Sequence, residues 1–157
     1  MSDSNKEYWS GKNVFITGIN GFIGGNLAKS LINEGANVFG LLRNQRKDTF
    51  LYYESLSNKI NFINGELTDL ILMKRIISEE QINVVFHLAA QVEIGVGITN
   101  PYLTFETNIK GTYTLAQAIA DCPKTIESVI MASTDKAYGS YGKEKIPALF
   151  NKYGAYW

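Results

Sequence analysis

The chain has 157 residues, 45% of them hydrophobic, and its 15 basic and 15 acidic side chains cancel. That length fits one domain with its own core, and the balanced charge lacks the basic footprint of a nucleic-acid binder. No apolar stretch nears the 18 or more residues of a membrane span, and the polar start Met1-Ser2-Asp3-Ser4-Asn5-Lys6-Glu7 has no signal-peptide core. The single cysteine, Cys122, cannot close an internal disulfide. A reducing, cytoplasmic setting without nucleic-acid or membrane partners is therefore expected.

Residues 1–11 read as a polar extension. Beyond them, apolar runs at 14–17, 38–42, 60–63, 84–89 and 129–132 are short and rich in β-branched or aromatic residues, as buried parallel strands are. Between the first two, residues 22–34 repeat Ile23, Leu27 and Leu31 along one helical face, and Gly35 ends the helix. Residues 47–57 predict a short helix. Leu70, Met73, Ile76 and Ile77 form another helical stripe, with Thr68 or Asp69 as its cap. Asn100-Pro101 joins a capping residue to a proline in the first turn, which predicts a helix to about residue 120. Alternating strands and helices predict an α/β fold, a doubly wound parallel sheet of about five strands with right-handed crossovers.

Gly18, Gly21 and Gly24 follow the first strand and open the first long helix. Strand, tight turn and helix N-terminus together place a dinucleotide pyrophosphate on free backbone N–H groups. Gly18 turns the chain, Gly21 admits the phosphates, and Gly24 lets helix and strand pack closely. Asn20, Phe22 and Ile23 complete the candidate cofactor-binding turn of a Rossmann-type fold.

The run 17–27 resembles the TGxxGFIGxxL signature of extended short-chain dehydrogenases/reductases, the NAD-dependent epimerase/dehydratase family. His87-Leu88-Ala89-Ala90 resembles the family's HLAA, and Thr107-Asn108-Ile109-Lys110-Gly111-Thr112 its TNxxGT. Ser133-Thr134-Asp135-Lys136-Ala137-Tyr138-Gly139 is similar to the segment carrying the catalytic Ser/Thr, and together the matches cover residues 8–145. The resemblance implies an NAD(P)-binding domain over 12–145, a divergent tail over 146–157, and no substrate domain, so the sheet is expected to be incomplete on its C-terminal side. It also implies a nucleotide-sugar substrate. Leu88, Ala89, Ala90 and Asn108 would border the cofactor. His87 by itself reads as a satisfied structural histidine, with no metal partners spaced around it.

An acidic residue ending the second strand would favour NAD, but Leu41-Leu42-Arg43-Asn44-Gln45-Arg46 holds none. Arg43 and Arg46 either meet a 2′-phosphate or lie solvated on a loop, so the cofactor is NAD or NADP with a slight lean to NADP. Gly65-Glu66-Leu67-Thr68-Asp69 resembles the family's GDxxD, which implies Glu66 at the adenine amine with Leu67 beside it.

By resemblance the reaction oxidises C4 of a nucleotide-bound hexose, with Thr134 positioning the hydroxyl. Asp135-Lys136 is similar to the pair of 4,6-dehydratases, CDP-glucose 4,6-dehydratases above all. Asp135 would protonate the departing C6 hydroxyl and Lys136 would act at C5; a solvated ion pair is the other reading. A 4-epimerase and a non-catalytic dinucleotide-binding protein are the alternatives. The family's Tyr-x-x-x-Lys is expected beyond Trp157. Tyr141 and Lys145 have the spacing but follow Thr134 by seven residues in a glycine-broken loop, and Tyr153 and Tyr156 lack the lysine. Binding without turnover is therefore expected of these 157 residues. The helix at 101–120 is the expected homodimer surface.

Overall fold

Short β-branched runs with helices between them bury both faces of the three inner strands, and the chain folds accordingly. The computed structural model describes residues 3–44 and 47–134. In chain order the elements are α1 (Asp3–Trp9), β1 (Asn13–Thr17), α2 (Phe22–Asn33), β2 (Asn37–Leu42) and α3 (Phe50–Tyr53). A 3-10 turn at Ser57–Lys59 leads into β3 (Ile60–Asn64), α4 (Leu70–Glu79) and β4 (Val84–His87). Then come α5 (Ile94–Thr99), α6 (Pro101–Phe105), a π turn at Glu106–Lys110, α7 (Gly111–Asp121) and β5 (Ser128–Met131).

The five strands are all parallel, in the order β3-β2-β1-β4-β5. That is the expected Rossmann-type arrangement, and the order reverses between β1 and β4, where such sheets open a crevice at their carboxyl ends. Strand periodicity, hidden in uniformly apolar runs, shows in the two cores. Val14, Ile16, Val38 and Val84 pack with Ala28 and Leu31 of α2, while Phe15, Phe39 and Val85 pack with Met73 of α4 and Leu115 of α7.

At the amino ends of the strands three asparagines tie the sheet together. Asn83 Oδ1 accepts the Asn13 N–H at 2.9 Å, Asn13 Nδ2 donates to Glu80 O at 2.8 Å, and Asn37 Nδ2 donates to Asn13 Oδ1 at 2.9 Å. Lys12 closes on Glu127 at 2.5 Å beside them.

Several elements differ from the sequence expectation. Within 1–11, residues 3–9 form α1, whose Trp9 packs against the core with its ring 6.3 Å from that of Phe86. On α2 the buried face is Gly24, Gly25, Ala28 and Leu31, not a stripe beginning at Ile23, which is 67% exposed. The helix approaches the glycine turn so closely that only small residues fit its first inner turn. β4 ends at His87 rather than residue 89, because β1 leaves the sheet at Gly18 and no partner lies beyond. The expected helix after Asn100 is interrupted by the π turn, and α5 precedes it. Of the two candidate caps for α4, Asp69 does the capping: its Oδ1 accepts the Leu72 N–H at 3.0 Å. Among the described residues no helix is long and apolar enough to cross a membrane.

Candidate functional site

β1 delivers Thr17 to the carboxyl edge of the sheet, and Gly18 turns away with φ +74°. A Cβ on Gly18 would lie 2.7 Å from Ala89 N and 2.8 Å from the Leu88 carbonyl, so the turn sits directly on the backbone leaving β4. A Cβ on Gly24 would fall onto Gly18 O. Within the turn the Gly21 N–H donates to Gly18 O at 3.0 Å, and the Gly25 N–H donates to Gly21 O at 2.9 Å.

Gly21 is the N-cap of α2 and provides no side-chain cap. The N–H groups of Phe22, Ile23 and Gly24 therefore have no acceptor within the helix and project from its positive end. Phe22, 83% exposed, and Ile23 flank them on the open side. A bare cradle with donors and no side chains in the way fits a pyrophosphate. Asn20 lines a neighbouring cavity of about 230 Å³ with Leu42, Lys47, Thr49 and Phe62.

Behind the cradle runs a polar chain that sequence reasoning saw only in part. His87 is 3% exposed, with Nδ1 2.7 Å from Thr17 Oγ1 and Nε2 2.9 Å from Thr112 Oγ1. Both ring nitrogens are satisfied, as expected of a structural histidine. Burial pushes its pKa below the ordinary 6.5. Thr17 Oγ1 also accepts the Ala89 N–H at 3.3 Å, and Thr112 Oγ1 donates to Asn108 O at 2.8 Å. Asn108 Oδ1 takes the Gln91 N–H at 2.7 Å and its Nδ2 gives to Gln91 O at 2.9 Å. Asn108 thus clamps Gln91, which follows Leu88, Ala89 and Ala90 in the chain, with its amide spent on the main chain. Thr17 and Thr112 were missed as site residues, although each flanks a glycine in a quoted motif.

Of the other residues expected to border a cofactor, Arg43 is exposed just after β2, and Glu66 is exposed after β3. Leu67 is 7% exposed and packs into the core against Gly111. Thr134 is exposed beyond β5, on the same carboxyl edge as the glycine turn, where the Ala132 N–H donates to His87 O at 3.0 Å. Asp135, Lys136, Tyr141, Lys145, Arg46 and the tail over 146–157 lie outside the described residues. No group of three metal-ligating side chains occurs among the described residues.

The family model described as GDP-mannose 4,6 dehydratase matches residues 15–150. The chain is similar to the CDP-paratose 2-epimerase of Salmonella typhi, 31% identical over 89% of this chain and 42% of that protein. It is similar to the CDP-glucose 4,6-dehydratase of Salmonella typhimurium, 31% identical over 85% of this chain and 37% of that one. The fold matches a UDP-glucose-4-epimerase from Stenotrophomonas maltophila with bound NAD and formylated UDP-arabinopyranose. There the TM-score is 0.72 and the identity 25%, over 83% of this chain and 39% of the other. The chain thus spans between 37% and 42% of the length of these proteins.

Proposed function

The chain belongs to the nucleotide-sugar dehydratase and epimerase family whose model it matches, and from that premise we propose that it forms the cofactor-binding part of an NAD(P)-dependent 4,6-dehydratase. The observation that carries this reading is the glycine cradle seated on Leu88 and Ala89 where the strand order reverses. In this reading the N–H groups of Phe22, Ile23 and Gly24 hold the pyrophosphate, and Gly18 and Gly21 let it approach. The wall at Leu88, Ala89 and Ala90 borders the ribose, with Asn108 fixing that wall. Glu66 meets the adenine amine above Leu67. Arg43 faces a 2′-phosphate, with Asn20 nearby, so NADP is preferred over NAD. The bound nicotinamide ring supplies a hydride acceptor and donor.

For the sugar, the Thr134 hydroxyl hydrogen-bonds the oxygen at C4. Asp135 donates a proton to the departing C6 hydroxyl, and Lys136 removes the proton at C5, so that water leaves across that bond. A 4-epimerase is the second reading, supported by the epimerases among the relatives; it needs neither Asp135 nor Lys136. The exposed apolar strip of Tyr102, Phe105, Ile109 and Tyr113 supports a homodimer through residues 101–120.

Calorimetric titration of the 157-residue chain with NADP+ and NAD+ tests the cofactor role: saturable heat is expected, stronger with NADP+. A folded chain giving no heat with either overturns it. These residues hold no Tyr-x-x-x-Lys at the family's distance from Thr134, so an assay with a nucleotide-hexose should show no keto-deoxy product. Asp135→Asn, grafted with residues 15–150 into the Salmonella typhimurium dehydratase, should abolish elimination. Retained elimination would remove Asp135 from the acid's role, and a graft with Asp135 in place that eliminates nothing would favour the epimerase reading.

A further inference from the structure

We propose that His87 is a positioning residue for the dinucleotide groove, held as a neutral imidazole with its proton on Nε2, and that a second proton on Nδ1 and an occupied groove exclude each other. The proposal rests on the dinucleotide reading of the cradle.

The hydrogen order follows from groups that can act in one way only. A carbonyl only accepts, so Thr112 spends its hydroxyl hydrogen on Asn108 O, 2.8 Å away. Toward His87 Nε2, at 2.9 Å, Thr112 Oγ1 can then only accept, which places the proton on Nε2. A backbone N–H only donates, so Thr17 Oγ1 accepts from Ala89 at 3.3 Å. Its own hydrogen is left for Nδ1, at 2.7 Å. Each proton in the chain thus has one place, and one tautomer satisfies every group.

Both ends of this chain close on the same loop. Through Thr17 it holds the Ala89 N–H; through Thr112 and Asn108 it holds both main-chain groups of Gln91. That loop is the surface on which Gly18 sits, with no room for even a methyl group between them. The imidazole therefore fixes the backbone on which the phosphate cradle rests.

A second proton reverses the Thr17 bond. Thr17 Oγ1 would then receive both Nδ1–H and the Ala89 N–H, and its own buried hydrogen would lose its acceptor. Relief requires Thr17 to rotate, which frees Ala89 and loosens the wall behind Gly18. Nothing charged compensates among the described residues facing the ring: β1 offers Thr17, α7 offers Thr112, and Met131 of β5 is its sheet partner. Because coupling is reciprocal, a bound dinucleotide lowers the proton affinity of His87 by the factor that protonation weakens binding.

His87 is the only histidine in the chain, so its ring nitrogens can be followed without assignment overlap. Nitrogen-15 NMR of the 157-residue chain at neutral pH should show a pyrrole-type Nε2 and a pyridine-type Nδ1. Saturating NAD+ should move the imidazole titration midpoint downward, and ADP-ribose, which keeps the pyrophosphate, should do the same. Below the free midpoint, the Kd should rise about tenfold per pH unit, as exclusion of a single proton requires. Thr17→Val should weaken binding at every pH and flatten that profile, and Thr17→Ser should restore both. A purely structural histidine would change the unfolding midpoint without linking the Kd to pH. The Nδ1–H tautomer, or binding with an unmoved midpoint, overturns the proposal alone. No binding by the folded chain overturns the dinucleotide reading, and the proposal with it.

Discussion

The two ends of the sheet are built on opposite rules. At the amino ends, Asn13, Asn37 and Asn83 spend their side chains on one another and on main-chain groups of the connecting turns. Lys12 and Glu127 pair beside them. At the carboxyl ends, a glycine turn leaves helix donors free, and the nearest polar side chains, Thr17, His87, Thr112 and Asn108, are drawn back to brace the loop behind it. Saturated polar groups hold a sheet together, whereas donors without partners are available to a ligand. Side-chain bonding is thus saturated at one edge and main-chain donors are left open at the other, the edge where open α/β sheets generally take their ligands.

The strongest way to break that contrast is Gly18→Ala, which puts a Cβ against the Leu88–Ala89 backbone at a positive φ. It should cost at least about 2 kcal/mol in urea unfolding and also abolish dinucleotide binding, because this glycine is both packed on the backbone after β4 and part of the cradle. Asn83→Leu removes the acceptor for the Asn13 N–H. It should cost about 1–3 kcal/mol by the same measurement and leave the dinucleotide affinity unchanged. Asp69→Ala uncaps α4 on the carboxyl side of the sheet, for about 1 kcal/mol by the same measurement.

The smallest effect sharpens the contrast through pH. Folding depresses the proton affinity of His87 below its ordinary 6.5, so stability is flat above that value, where both states are neutral. As pH falls through 6.5, the unfolded chain takes up a proton that the folded chain refuses, and stability declines until the folded state titrates in turn. Unfolding midpoints of wild type minus His87→Gln, measured across that window, should show this slope and level off to a constant offset at alkaline pH, where only the lost hydrogen bonds of the buried ring count.

Features set by neighbours in sequence were legible beforehand. The strands, the Asn100 cap and the turn of Gly18, Gly21 and Gly24 depend on local residue type, so the sheet and its crevice could be placed from them. What depended on distant partners was hidden. Ile23 matched the helical stripe, yet Gly24 and Ala28 take the inner face because the turn lies so close. The polar letters of 1–11 concealed a helix ending on a packed tryptophan. The glycines of α5 and the widened turn at Glu106–Lys110 carry no periodic signature. Thr17 and His87 stand 70 residues apart, and only parallel pairing of β1 with β4 makes them one unit.

That same pairing decides how the protein must be born. β2 follows β1 closely, but the strand on its other side is completed only when His87 emerges, 70 residues after Thr17. At ordinary translation speed, roughly 4–14 s pass during which a strand whose Val14, Phe15 and Ile16 are fully buried in the finished fold presents an unpaired edge outside the ribosome. A parallel sheet whose middle strand is made first leaves its centre unguarded longest, and chaperone capture on ribosomes stalled before β4 should centre on Val14, Phe15 and Ile16.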